Sequence, residues 1–337
     1  MPELDWFHEP AVLISLTALL GLLVGSFLNV VILRLPARLE HEWRLQAAEI
    51  LADPVDDMPA APDTVRDGVF GAQREGPTQL DAFAASDARA DASIQDDPAS
   101  SVADAAPAAP PDLVFTGSHC PHCKHALSPL DNIPLLSWLA LRGRCRYCGA
   151  GISWQYPLVE ALTALASAVI AWKVGFGWEL AAALAFTWVL IAASGIDVRT
   201  QLLPDQLTLP LMWLGLLVSL LPLRVDPGDA ILGAALGYLS LWSVYWLFKL
   251  STGKEGMGFG DFKLLAALGA WMGPIALLPT VLLSSLIGAL VGGAALALQG
   301  RDRGTPIPFG PFIAAAGWAW YVAGDALGAL YERLFGL

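Results

Sequence analysis

The sequence predicts an all-α membrane protein: a polytopic bundle of about eight transmembrane helices with a zinc-binding module on its cytoplasmic side. Hydrophobic residues make up 55% of the 337 residues and charged residues only 15%, whereas an average soluble domain is about 25% charged. Apolar runs long enough to cross a bilayer recur along the chain. All four cysteines lie in two C-x-x-C pairs. The composition excludes an ordinary soluble enzyme.

Eight apolar segments are predicted to span the membrane. No Lys or Arg precedes the first one, 11–33, so it lacks the basic region of a signal peptide and is expected to be retained. The other predicted spans lie at about 156–174, 178–196, 205–222, 229–249, 261–273, 275–298 and 309–330.

The distribution of basic residues predicts the orientation of these helices. With the N-terminus outside, the short inner loops hold Arg199, Lys249, Lys254, Lys263, Arg301 and Arg303, against Lys173, Arg224 and Arg333 outside. Basic residues accumulate in cytoplasmic loops. The cysteine region is therefore expected in the cytoplasm.

The polar part of the chain divides the sequence into predicted segments. The first transmembrane helix is assigned to 1–36, and 37–51 is read as an amphipathic segment at the inner surface, with a solvated linker helix as the alternative. The segment 52–112 is predicted to be an acidic disordered insert, because it is rich in Ala, Asp and Pro and cannot bury enough apolar surface to offset chain entropy. The cysteine module is 113–156, and the seven remaining helices are 157–337. The insert carries most of the net charge of −12, so that charge does not indicate nucleic-acid binding.

The cysteines Cys120, Cys123, Cys145 and Cys148 are predicted to bind Zn²⁺. Each C-x-x-C pair can direct two thiolates at one ion, and two pairs complete a tetrahedral site. Such a closed site is structural. The alternatives are redox-active or simply reduced thiols, or a neighbouring histidine as one ligand.

Four acidic residues lie at the predicted inner ends of the helices. Asp197 ends the third span and Asp261 begins the sixth, after a glycine-rich turn. Two nearby carboxylates can share one proton and activate a water, although two unrelated helix-end acids remain the alternative. Asp205 is predicted to cap a helix N-terminus, and Glu160 stays open between a structural and a functional role.

A series of short motifs occurs in order along nearly the whole chain: GSFLNVV at 25–31, RLP at 34–36, DNIP at 131–134, YPLVE at 156–160, LPD at 203–205, GFGD at 258–261 and PIPFGP at 306–311. With the two cysteine pairs, they resemble those of the type IV prepilin leader peptidase/N-methyltransferase family.

This resemblance implies an aspartic endopeptidase in the bacterial inner (cytoplasmic) membrane, multi-pass, with its active site at the cytoplasmic face. It implies Asp197 and Asp261 as the catalytic pair, with the peptidase domain at 157–337 and an N-methylation-linked region within 113–156. The expected substrates are prepilins and pilin-like type II secretion proteins (pseudopilins). Their basic leader is cleaved, and the new N-terminal residue, usually Phe, is methylated with S-adenosylmethionine. The expected surroundings are the lipid bilayer, with no nucleic acid.

Three other functions are alternatives to this one. A proton-coupled transporter would require mid-membrane acids and internal repeats. A zinc-anchored scaffold would leave Asp197 and the turn before Asp261 unexplained. An intramembrane aspartyl protease of the presenilin type shares the G-x-G-D turn but not the cysteine module.

Overall fold

The computed structural model describes residues 9–52, 109–113, 117–128, 131, 133–254, 256–299 and 307–335. Nearly all of the predicted insert 52–112 lies outside these ranges. The helices are α1 (Pro10–Ala52), α2 (Leu136–Ala140), α3 (Gln155–Val174), α4 (Trp178–Thr200), α5 (Asp205–Val218), α6 (Pro227–Thr252), α7 (Phe259–Met272), α8 (Leu277–Gln299) and α9 (Gly310–Phe335), with a 3₁₀ turn at Pro274–Ala276. The described ranges contain isolated β-bridges but no strand, so the predicted all-α class is confirmed.

The chain forms two compact units. One comprises Met1–Leu39 with Pro111–Leu337, and the other is Glu40–Pro110. The first unit holds the helices α2 to α9 and every site residue discussed below. Of the second unit, the structure describes mainly the end of α1.

A helix occupies each of the eight predicted spans. Among the residues that the structure describes, five helices are long and apolar enough to cross a membrane: Pro10–Leu51, Gln155–Val174, Trp178–Thr200, Pro227–Thr252 and Pro274–Ala294. Helices α5 and α7 have only 14 residues each, against the roughly 20 that a perpendicular span requires. The membrane character is therefore confirmed and the count of eight is not.

The first helix is longer than the sequence predicts. It has 43 residues and continues through Pro36 to Ala52, so the predicted segment 37–51 is helical and continuous with the first span. Its expected position at the inner surface stays a prediction.

Helix α7 is the central element of the bundle. All of its side chains from Leu264 to Trp271 are buried. It approaches α6 so closely that a Cβ atom added to Gly233 would lie 2.2 Å from the carbonyl oxygen of Gly269. This close packing surrounds a short helix on several sides and holds its first turn, which contains Asp261, inside the protein.

Four helix ends meet at one end of the bundle: the C-terminus of α4 and the N-termini of α5, α7 and α9. Helix α4 ends at Thr200, and Gln201 adopts the left-handed conformation with φ of 55°. The chain then enters α5 within a few residues. The end turns of these helices carry the acids at 197, 205 and 261.

Candidate active site

Asp197 lies on the last turn of α4 and is 5% exposed. Its Oδ2 atom accepts a hydrogen bond of 2.9 Å from the backbone N–H of Gly310, the first residue of α9. A Cβ atom at Gly310 would lie 2.7 Å from that oxygen. The glycine therefore permits a backbone donor to reach a buried carboxylate directly.

Asp261 lies on the first turn of α7 and is 9% exposed. Its carboxylate is close enough to Asp197 for the two groups to interact electrostatically. Leu203 packs against the first turns of α7 and α9. A Cβ atom added to Gly260 would lie 2.6 Å from Leu203 Cβ, and one added to Gly310 would lie 3.0 Å from Leu203 Cδ1. The structure thus brings the two predicted acids together at opposite helix ends, with one leucine in close contact with both neighbouring glycines.

Asp205 has a different role from the one the sequence predicts. The N-cap of α5 is Pro204, and no side chain caps this end, so the N-cap prediction for Asp205 is wrong. Its carboxylate instead accepts bonds of 2.6 and 2.8 Å from Lys263 Nζ. Lys263 follows Asp261 by two residues, and its ammonium group lies within reach because the first turns of α5 and α7 are adjacent.

Glu160 lies on the second turn of α3 and is 7% exposed. Its Oε2 atom accepts the backbone N–H of Leu135 at 2.8 Å, and the Ser26 hydroxyl donates to the same carboxylate. No ion pair with Lys or Arg is found for it within the described part of the chain. Glu160 therefore connects α1, α3 and the turn before α2.

Asn29 was missed by reasoning from the sequence, although it is only 1% exposed in the middle of α1. Its amide nitrogen donates to the carbonyl oxygens of Gly25 at 3.3 Å and Tyr156 at 3.1 Å. A polar side chain within an otherwise apolar predicted span was the signal that could have found it, because intramembrane polar groups are costly and commonly functional.

The four cysteines form one cluster, as predicted. Their sulfur atoms all lie within 4.8 Å of one another, and Cys120 Sγ is 3.8 Å from Cys148 Sγ. Four sulfurs at about 2.3 Å from a tetrahedral zinc ion would be about 3.8 Å apart. None of the four is in a disulfide. This donor set could hold a metal ion.

Two equivalent turns direct the sulfurs inward. In the first, the Lys124 N–H donates to the Cys120 carbonyl oxygen, and in the second the Gly149 N–H donates to the Cys145 carbonyl oxygen, each at 2.9 Å. Lys124 and Gly149 both have a positive φ, of 58° and 71°. The repeated geometry shows that both C-x-x-C pairs fold in the same way.

The electrostatics of the cluster favour a cation. The backbone N–H groups of Cys123 and His122 lower the pKa of Cys120 to about 6. The Ala150 N–H lowers the pKa of Cys148, but desolvation and the three neighbouring thiols outweigh it and raise this pKa to about 11. Several thiolates held close together repel one another, and a bound cation removes that repulsion.

A buried carboxylate connects the two turns. Asp131 accepts the Ser128 hydroxyl at 2.8 Å and the Tyr147 hydroxyl at 3.1 Å, and it pairs with Arg146 Nε at 2.7 Å. The Ser128 hydroxyl, then Tyr147 and Arg146, hold the pKa of Asp131 below its usual value. Because Ser128 follows the first turn and Tyr147 belongs to the second, Asp131 fixes one relative to the other.

The fold and the site define a helical membrane protein with a pair of buried carboxylates at one end of its helices and a separate four-cysteine cluster. The family model described as Bacterial Peptidase A24 N-terminal domain matches residues 19–174, and the one described as Type IV leader peptidase family matches residues 184–293. The chain belongs to the type IV leader peptidase family.

Curated relatives are similar over almost their whole length. Proteins named "Prepilin leader peptidase/N-methyltransferase" are 47% identical in Stutzerimonas stutzeri, covering 96% of this chain and 95% of the relative, and 46% identical in Pseudomonas aeruginosa, covering 100% and 99%. The protein of that name in Xanthomonas campestris pv. campestris is 48% identical, covering 94% of both chains. No solved structure matches the chain.

Proposed function

We propose that this chain cleaves the leader peptide of prepilins and then N-methylates the new N-terminal residue. Its family, and relatives named for both activities, support this function. The observation that carries the catalytic assignment is the approach of Asp197 and Asp261 at the ends of α4 and α7. Two buried carboxylates in this arrangement suit peptide hydrolysis.

In the proposed reaction, the two carboxyl groups share one proton, since like charges so close together do not both ionise. The ionised carboxylate takes a proton from a water molecule, whose oxygen attacks the carbonyl carbon of the scissile peptide bond. The protonated partner donates to the carbonyl oxygen. As the C–N bond breaks, the carboxyl group that took the water's proton gives it to the leaving nitrogen, and one hydroxyl of the hydrated carbonyl returns its proton to the other carboxylate. This frees the amine of the mature pilin and restores the shared proton. The Gly310 N–H holds Asp197 in a fixed position for this exchange.

The second activity uses S-adenosylmethionine, which supplies the methyl group when it is bound. The tight connection of α1 and α3 through Glu160 and Ser26 and the position of these helices within the matched N-terminal domain support a methylation region that includes the start of α3. We assign the peptidase domain to 157–337.

The four cysteines are proposed to hold a structural Zn²⁺. Sulfur distances close to those of a tetrahedral site support this choice of ion. A closed set of four thiolates leaves no position for a substrate, so the ion would fix the cysteine module and take no part in cleavage.

The proposed location is the inner membrane of a bacterium, with the N-terminus outside and the cysteine module in the cytoplasm. The excess of Lys and Arg in the loops on that side supports this orientation. Besides prepilins, we propose pilin-like proteins of type II secretion as substrates, because they present the same basic leader before an apolar helix. That helix would lie in the bilayer, with the scissile bond at its surface.

The test follows the N-terminus of a prepilin by mass spectrometry, with the full-length protein in lipid and S-adenosylmethionine present. The variants Asp197→Asn and Asp261→Asn are compared with Asp205→Asn, whose carboxylate lies at the same end but pairs with Lys263. We expect cleavage to fall by a factor of about 10³ or more in the first two, by analogy with the loss of a catalytic group elsewhere. Asp205→Asn should retain cleavage within a few-fold. Normal cleavage by either of the first two variants would overturn the assignment of the pair.

A further inference from the structure

An unpaired acceptor is buried between α1 and α3. Both hydrogens of the Asn29 amide are used, since Nδ2 donates to the carbonyl oxygens of Gly25 and Tyr156. These two acceptors fix which end of the amide is the nitrogen. The other end, Oδ1, is buried and finds no donor among the residues that the structure describes. A buried acceptor without a partner is costly and rare in proteins.

A second unused polar atom belongs to Gln155. Gln155 is the first residue of α3 and immediately precedes Tyr156, whose carbonyl oxygen holds Asn29. Its Oε1 atom accepts a bond of 2.6 Å from Arg199 Nη1. Its Nε2 atom is buried and has no acceptor within the described ranges. One buried acceptor on α1 and one buried donor at the start of α3 are therefore unused within the described ranges.

A carboxylate lies one helical turn further along α3. Glu160 accepts only neutral donors, the Leu135 N–H at 2.8 Å and the Ser26 hydroxyl. Its negative charge is not matched by a described Lys or Arg side chain. Leu135 holds its N–H there with φ of 56°, a conformation that is uncommon for a residue with a side chain. The carboxylate is thus available to pair with a positively charged group of a ligand.

We infer that Asn29, Gln155 and Glu160 bind an α-amino acyl group, that is, an ammonium group with a carbonyl or carboxylate oxygen on the neighbouring carbon. Asn29 Oδ1 accepts from the ammonium, Glu160 balances its charge, and Gln155 Nε2 donates to the oxygen. This inference rests on the proposed methylation activity. Two participants of that step carry the group: the amino-acid end of S-adenosylmethionine and the N-terminal residue of the cleaved pilin.

The location of these residues suits a step that follows cleavage. Arg199, which bonds to Gln155, lies two residues after Asp197 on α4. Packed helices are about 8–10 Å apart, so the site and the carboxylate pair are separated by about one helix spacing. An amine released between Asp197 and Asp261 would therefore be close to the acceptors on α1 and α3.

The test separates methylation from cleavage and adds direct binding. In Asn29→Leu and Glu160→Gln, we expect methylation to fall at least about tenfold, the effect of losing a hydrogen bond to a charged group, with cleavage within threefold of wild type. The Glu160→Gln variant keeps an acceptor for the Leu135 N–H and removes only the charge. The Glu160→Gln variant therefore still tests the site if Asn29→Leu fails to fold.

Binding is measured by calorimetry with two probes that undergo no reaction. S-adenosylhomocysteine carries the amino-acid end without a transferable methyl group, and a short peptide with the N-terminal sequence of a mature pilin carries the free amine. Weaker binding of the first in Glu160→Gln identifies the donor as the ligand, and weaker binding of the second identifies the pilin. Either result supports the site.

Thr163→Val is the matched control. Thr163 is fully buried one turn beyond Glu160, and its hydroxyl bonds only within its own helix, to the Val159 carbonyl at 2.7 Å. It should leave binding and both activities unchanged. Unchanged binding of both probes with normal methylation in Glu160→Gln would overturn the site. An equal loss of cleavage and methylation, together with a lower Tm, would also overturn the site, because it would indicate that the residue only stabilises the fold. A wild-type protein that yields neither product would instead contradict the proposed function, and the two binding measurements would still decide the site.

Discussion

At position 260, the difference between glycine and alanine is one methyl group directed at Leu203. The added Cβ would lie 2.6 Å from Leu203 Cβ, so the first turn of α7 would have to move. Displacements of about 1 Å can reduce a reaction rate about a hundredfold. We expect Gly260→Ala to lower the rate of prepilin cleavage by at least about tenfold, measured at saturating substrate.

Gly258→Ala is the control for this change. It lies in the same turn, yet a Cβ atom there meets nothing within 4 Å, and its φ is −80°, which any residue adopts. Cleavage should remain within about twofold of wild type. Equal loss in the two variants would show that the turn needs flexibility and that contact with Leu203 is not the cause.

Single residues at the site were predictable where the local pattern decides their position. Asp197 follows a long apolar run and Asp261 follows three residues of a glycine-rich turn, so their helix-end positions followed from the chain alone. The partner of Asp205 did not, because Lys263 is 58 residues away and only the packing of α5 on α7 brings them together. Asn29 also escaped notice, since its acceptor on Tyr156 is 127 residues distant.

The close packing of helix α6 on helix α7 depends on glycine at their point of contact. A Cβ atom on Gly233 would lie 2.2 Å from the Gly269 carbonyl oxygen, a backbone atom that cannot rotate away. Overpacking commonly costs about 1–3 kcal/mol. We expect Gly233→Ala to lower the Tm of the protein in detergent by several degrees, measured by thermal unfolding.

Gly228 supplies the comparison on the same helix. A Cβ atom at this position finds open space, and alanine is favoured over glycine in a helix by up to about 1 kcal/mol. Gly228→Ala should therefore unfold at the wild-type temperature or slightly above it. A lower Tm for both variants would mean that the α6 backbone, and not its approach to α7, limits stability.

The cysteine module gives a prediction about the metal content of the protein. Cys120 is buried and its sulfur belongs to the cluster, so Cys120→Ser should reduce the zinc content of the purified protein from about one ion per chain to a small fraction. Elemental analysis measures this content. His122→Ala should keep the ion, because the histidine is exposed and its ring is absent from the cluster. Loss of zinc in His122→Ala but not in Cys120→Ser would instead identify His122 as a zinc ligand.

The helices themselves were largely predictable, and their lengths were not. Apolar runs locate all eight, since burial in a bilayer or in a protein interior selects the same residues. Helix α7 is short because glycine and proline follow Met272. Helix α1 continues past its apolar part because Pro36 removes only one hydrogen bond and the following residues favour a helix. Composition does not distinguish a helix enclosed by its neighbours from one that crosses the membrane.

At the scale of the whole molecule, all four cysteines belong to one module. Labelling of their thiols therefore shows on which side of the membrane the module lies. After chelation in spheroplasts, a membrane-impermeant maleimide should leave the native cysteines unlabelled until the membrane is permeabilised. A cysteine introduced by Leu221→Cys, exposed in the turn between α5 and α6, should be labelled at once. The reverse pattern would invert the proposed topology.

The contact of Leu203 with Gly260 and Gly310 has a consequence for how this protein can diverge over time. A Cβ atom at 260 meets Leu203 Cβ at 2.6 Å, an atom that every residue but glycine has, and a Cβ atom at 310 meets Asp197 Oδ2 at 2.7 Å as well as Leu203 Cδ1 at 3.0 Å. A smaller side chain at 203 therefore does not make either position open to a larger residue, and lineages that keep the activity should keep both glycines. A double substitution that combines Leu203→Ala with Gly260→Ala should therefore recover little of the activity that the glycine change alone removes, because alanine keeps the Cβ atom in contact.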